Sequence, residues 1–196
     1  MPLPLLASPG KVAEAFGADL DQWAVDAVRM ASDMARGYLR LTVTAVADDT
    51  VHLPGTLGAR LALPELPVTA VTAVSVDGTA LASSGYAWRR SGLLLRRDGA
   101  GWGGPDAEVA VTYDHGWETV PGDLAAVVLA AALRLAPNPG QYDYRSYGGP
   151  VVHDGHNYGS QDDRAGNVYR GAWAGWTLAE RIVLDRYRRR WASVAA

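Results

Sequence analysis

Apolar and polar positions divide this chain into blocks of different period, and the block from Glu108 to Pro137 organises the rest. Val109, Val111 and Tyr113 alternate with Ala110 and Thr112, the period of a strand with one buried face. Asp114-His115-Gly116 predicts a break in that strand, and Pro121 stands where a helix can start. Leu124–Ala136 is then apolar nearly all round until Pro137 stops it, which predicts a central helix buried on every side. Upstream, Ser8-Pro9-Gly10 predicts a short helix ending near Gly17. Asp19 or Asp21 can cap a second one that runs to about Tyr38. Trp23, Ala27, Met30, Met34 and Tyr38 recur there at spacings of three and four, with Asp26, Arg29, Asp33 and Arg36 mostly on the other side.

Between Leu41 and Tyr113 the pattern shortens into β-branched runs separated by Pro and Gly. TVHLPG, ARLALPELPV and VTAVTAVSV read as strands, Asp77-Gly78 as a hairpin turn, and TAL, YAWRR and GLLLRR as further short strands. A β-unit between helical parts of one core reads as an insertion. From Pro137 to Gly175 there are eight glycines and five tyrosines but only three aliphatics. Fixing a backbone costs about 1–2 kcal/mol per residue, which three valines do not offset, so this stretch reads as an interaction arm. TLAERIVLDRYRRRWASV closes the chain, with a capping box at Thr177 and Glu180. Ile182, Val183, Tyr187 and Trp191 lie near one helix face there.

Composition changes this picture in two places. The net charge of −3 makes no general case for nucleic-acid binding, but the last twenty residues carry five arginines against two carboxylates, leaving −6 on the remainder. The absence of cysteine excludes disulfides, thiolate metal sites and cysteine nucleophiles. The Leu124–Ala136 run is too short to span a membrane, and Met1–Leu6 lacks the basic start of a signal peptide.

The candidate chemistry is thin. Gly99–Gly104 satisfies G-x-G-x-x-G, but Pro105 and a strand follow where a dinucleotide fold needs a helix, so a hairpin loop is expected. His153-Asp154-Gly155-His156 offers two imidazoles in a glycine-rich loop without a third ligand, so no metal is expected. Asp114, His115 and Glu118 suggest an acid–base group, yet turn residues explain them equally well. No nucleophile elbow, P-loop or H-E-x-x-H is present, and we expect no catalytic residues and no cofactor. Trp88, Trp102 and Trp117 offer an alternative: an aromatic platform on a soluble β-rich module that binds a small ligand or glycan. Arg186, Arg188, Arg189 and Arg190, interleaved with Tyr187 and Trp191, read either as a solvated helix end or as a docking surface.

Residues 61–78 (LALPELPVTAVTAVSVDG), Tyr86, Gly92-Leu93-Leu94 and residues 108–136 together resemble the head–tail connector adaptor (head-completion) family of long-tailed bacteriophages. The N-terminal helical pair and TLAERIVLDRYRRRW are similar to actinobacteriophage members. The resemblance implies an α+β, mainly helical fold: a helix bundle (1–40 and 114–136) with a small antiparallel β-subdomain inserted at 41–113. An extended Gly/Tyr-rich arm (137–175) then precedes a basic C-terminal helix (176–196). It implies a non-enzymatic virion protein at the neck, assembled in the host cytoplasm. Such adaptors form a ring, commonly twelvefold, between the portal protein and a tail-side stopper or tail terminator, close to genomic DNA and with no membrane contact. On this resemblance Arg186, Tyr187, Arg188, Arg189, Arg190 and Trp191 are expected to dock the portal. Tyr142, Tyr144, Tyr147, Tyr158 and Tyr169 are expected to meet a neighbouring subunit or the tail side.

Overall fold

In the computed structural model, residues 2–136 and 176–188 are described. They form two compact units, one from Arg40–Val120 and one from Pro4–Leu39 together with 121–136 and 176–188.

The first unit is all β. Its strands are β1 (Val46–Pro54), β2 (Arg60–Ala62), β3 (Val68–Val76), β4 (Thr79–Ala80), β5 (Tyr86–Trp88), β6 (Leu93–Arg96) and β7 (Glu108–His115). They make a four-stranded sheet in the order β1-β7-β3-β4 and a three-stranded sheet in the order β2-β6-β5, all neighbours antiparallel. Strand β7 lies between β1 and β3, and its strict alternation gives it one buried face: Val109, Val111, Tyr113 and His115 are buried, while Ala110 and Thr112 face the other side. Its inner face meets Leu61, Leu63, Val74, Tyr86, Leu94 and Trp102, so both sheets share one apolar core. Asp77-Gly78 turns β3 into β4 with φ of +48° and +75°, the left-handed pair that a tight hairpin requires.

Gly116, rather than Asp114, ends β7. It has φ +87°, and a Cβ there would lie 2.3 Å from the Thr44 carbonyl oxygen. That oxygen has little freedom to move, because Trp117 N–H donates to Val43 C=O (2.8 Å) and Ala45 N–H to Trp117 C=O (3.0 Å) on either side of it. Gly116→Ala is therefore expected to destabilise the β unit by more than about 1 kcal/mol. An unchanged denaturation midpoint would show that this crossing can relax.

The second unit is helical: α1 (Pro9–Ala15), α2 (Gln22–Leu39), α3 (Gly122–Leu135) and α4 (Leu178–Tyr187). Asp21 accepts the Gln22 N–H at the start of α2 (2.6 Å). The buried stripe of α2 lies one position away from the expected one. It consists of Ala24, Ala27, Val28, Ala31, Ala35 and Leu39, with Met30 left 40% exposed. Small side chains let another helix approach closely, and they outweigh the larger residues that periodicity favours. Arg36, expected on the solvent side, is buried. It donates to Pro4 C=O and to Asp33 (3.3 Å), while burial lowers its pKa from the ordinary guanidinium value. Ser32 accepts the Leu6 N–H (3.1 Å) and donates to Val28 C=O (2.7 Å), which pins the N-terminal segment to α2. Helix α3 is buried along Leu124, Val127, Val128, Ala131 and Ala132, whereas Leu129, Leu133 and Leu135 are half-buried; the expectation of burial on every side is not met.

The expectation of a mainly helical fold is overturned. Among the described residues seven strands in two antiparallel sheets stand beside four helices, and the fold is β-rich. The mainly helical expectation came from the resemblance. The runs that form β2, β4, β5 and β6 read as short strands in the sequence itself, and together with β1, β3 and β7, of eight or nine residues each, they build two full sheets.

Candidate functional site

The C-terminal helix was expected to carry a docking surface, and its placement begins at Thr177. The Thr177 hydroxyl accepts the Glu180 N–H (3.3 Å) and the Glu180 carboxylate accepts the Thr177 N–H (2.8 Å), a complete capping box. Glu180 is also gripped by both terminal nitrogens of Arg134 on α3, at 2.7 and 2.9 Å. Leu184 is fully buried one turn further on.

Beyond Leu184 the helix presents its basic end. Tyr187 donates its hydroxyl to Asp123, at the start of α3, and burial together with that bond pushes the phenol up to about 12. Arg186 lies 3.9 Å from the same carboxylate with its side chain 66% exposed. The Arg188 guanidinium lies over the Tyr38 ring, 5.4 Å from its centroid, and Tyr38 donates to Asp185 (2.8 Å). The structure thus brings Arg186, Tyr187 and Arg188 together at one helix end. All three also have contacts inside the unit, and Arg186 and Arg188 are exposed while Tyr187 is half-buried. Arg189, Arg190 and Trp191 lie outside the described residues, as do Tyr142, Tyr144, Tyr147, Tyr158, Tyr169, His153 and His156. Asp123 and Arg134 carried no sequence signal for these roles, because each meets its partner only through the tertiary fold. Leu178 and Ile182, one turn apart on α4, are 71% and 55% exposed.

The other sequence candidates fall to structural roles. His115 is buried, with Nε2 donating to Asp49 (3.2 Å) and Nδ1 lying 4.0 Å from Glu65. Glu118 is exposed, and Asp114 accepts the Asp48 N–H (2.8 Å) at a bulge in β1. An acid–base group from these residues is not assembled. The aromatic platform is not assembled either: Trp102 is fully buried in the core, and only Trp88, at 36%, is open. Among the described residues no cluster of three or more His, Asp or Glu is placed to hold a metal ion. No helix among them is long and apolar enough to cross a membrane.

No protein family matches the chain, and no curated protein matches it in sequence. A solved structure does share its fold. A chain in the neck of an empty GTA (gene transfer agent) particle, computed with C6 symmetry, aligns with a TM-score of 0.52 at 18% identity. The alignment covers 94% of this chain and 90% of that one. A chain in the neck of a native GTA particle, computed with C12 symmetry, aligns at 20% identity with a TM-score of 0.45 over 97% and 96% of the two chains.

Proposed function

We propose that this chain is a non-enzymatic structural protein of a phage-like neck: a head-to-tail adaptor that forms a ring beneath the portal, extends the DNA channel and prepares the filled head for its tail. The observation that supports this reading most is the fold it shares, along nearly the whole of both chains, with a protein from a particle neck. The adaptor-like segments at 61–78 and 108–136 add to it, since they supply the core of the β unit and helix α3.

In this reading twelve copies surround the channel near the genomic DNA, between portal protein and a tail-side stopper or tail terminator. The ring assembles in the host cytoplasm and remains in the virion. The basic end of α4, through Arg186 with Tyr187 and Arg188 and continuing to Arg189, Arg190 and Trp191, docks the portal. The tyrosines at 142, 144, 147, 158 and 169 meet a neighbour or the tail side.

Negative-stain electron microscopy of the chain purified with the portal from its own genome, and with DNA-filled heads, tests the reading. An added ring layer below the portal is expected in at least one preparation. Bare portals in both, beside free chain, would overturn it.

A further inference from the structure

Charge is distributed unevenly over the β unit. Strands β1 and β7 hold Asp48, Asp49, Glu108 and Asp114 and no lysine or arginine. The β5–β6 hairpin, Tyr86–Arg97, holds Arg89, Arg90, Arg96 and Arg97 and no carboxylate. Arg96 is committed to Asp98 (2.5 Å) and to the Trp102 face, and Arg97 donates to Tyr86 C=O (3.0 Å). Arg89 and Arg90 at the hairpin turn are exposed and make no ion pair among the described residues.

The two regions lie on opposite sides of the β7–β3 pair. Strand β1 is the outer neighbour of β7. On the other side, Val68 N–H donates to Arg90 C=O (3.0 Å), which sets the hairpin turn against the outer edge of β3. Val46 and Val68 both pair with His115, so Asp48-Asp49 and Arg89-Arg90 sit at the same end of the sheet.

Both regions also present open backbone. Gly55 N–H donates to Ala107 C=O (2.8 Å), a register that directs the N–H and C=O groups of Thr50 and His52 away from β7. Arg89 N–H donates to Leu93 C=O and Arg97 N–H to Gly85 C=O, which likewise turns the backbone groups of Trp88 away from β6. An acidic strand edge and a basic strand edge on opposite sides of one unit are complementary to each other, not to themselves. Surfaces of that kind join copies heterologously rather than as two-fold dimers, and such contacts close into a ring where the rotation between copies permits.

We propose that copies of this chain join head to tail through the β unit: the acidic open edge of β1 receives the open backbone of Trp88 and the Arg89 and Arg90 side chains of the next copy. This rests on the ring reading above and specifies which surfaces build the ring.

The chain has no cysteine, so paired cysteines report the contact cleanly. Ala47 and Ser91 are exposed and adjoin the two charged pairs. With the full chain assembled on its portal, Ala47→Cys plus Ser91→Cys treated with a short bismaleimide should give a ladder of dimer, trimer and higher species. Either single variant should stay monomeric, because the head-to-tail contact places no second thiol opposite its cysteine. Arg89→Glu with Arg90→Glu should reduce ring yield at least about tenfold while leaving the thermal midpoint unchanged, since like charges then face each other. Rings that form without a ladder, or a charge-reversed variant that assembles normally, would overturn the head-to-tail contact and leave the adaptor reading standing. Chain that stays monomeric beside the portal and beside DNA-filled heads would overturn both.

Discussion

Replacing Trp102 by alanine is expected to lower the stability of the β unit by about 3–5 kcal/mol, the range for truncating a large buried aromatic. The side chain is fully buried, and its Nε1 donates to Ala59 C=O (3.0 Å). Its own N–H donates to Thr56 C=O (2.7 Å), so this one residue ties the 55–60 loop to the core through both side chain and backbone. Truncation opens a void bordered by both sheets and leaves the Ala59 carbonyl without its indole donor. Trp102→Phe should fall between wild type and alanine, because it restores most of the volume but not the hydrogen bond. Urea denaturation followed by far-ultraviolet circular dichroism measures the difference. A loss below about 1 kcal/mol for alanine would mean that the cavity collapses or that the loop is anchored elsewhere.

Trp102 also marks where the sequence stops being legible. Its surroundings, Gly-Ala-Gly-Trp-Gly-Gly, read correctly as a loop because Pro105 and a strand follow. Glycine is needed next to it: a Cβ on Gly55 would lie 2.0 Å from the Trp102 carbonyl oxygen. Nothing local says that the indole points inward, and it passed equally well for part of an exposed platform. Helix α2 teaches the same lesson in another form. Its period was legible but its phase was not, since alanines give little hydrophobic contrast and Met30 drew the stripe to the wrong side. Where the signal was chemical and local, it held. Asp77-Gly78 forms its turn, and Thr177 and Glu180 form their capping box.

At the candidate docking helix, position was legible and attachment was not. The arginines cluster at the end of α4 in the sequence itself, but the residue that holds the helix in place, Arg134, is 46 positions away from Glu180. No pattern of spacing reports a contact of that range. The fold supplies it, because α3 and α4 pack in the same unit and the capping carboxylate faces the last turn of α3.

Arg134→Ala should accordingly cost about 2–4 kcal/mol and loosen α4. Breaking a buried pair by removing one partner strands the other charge, and the effect here is moderated because Arg134 keeps 28% of its side chain exposed. Burial alone would raise the Glu180 pKa. The hydrogen bonds from Arg134 and Thr177, with the Arg134 charge, outweigh burial and hold it below the ordinary carboxylate value. A carboxylate depressed in this way contributes stability that is fully present above its unfolded pKa and is lost as pH falls through its folded one. The wild-type chain should therefore lose stability in the helical unit as the solution is acidified from about pH 5 downwards, and Arg134→Ala should show a shallower dependence. Glu180→Gln keeps the shape but not the charge, so its own profile should be flatter still across that window. Thermal melts of the three proteins at a series of pH values, read by helical circular dichroism, measure this directly. Superimposed profiles for wild type and Glu180→Gln would show that the pair contributes no pH-linked stability. Because α4 presents Arg186 from the turn beyond this clamp, the portal docking proposed above predicts that Arg134→Ala weakens portal binding as well, without altering any residue of the basic end itself.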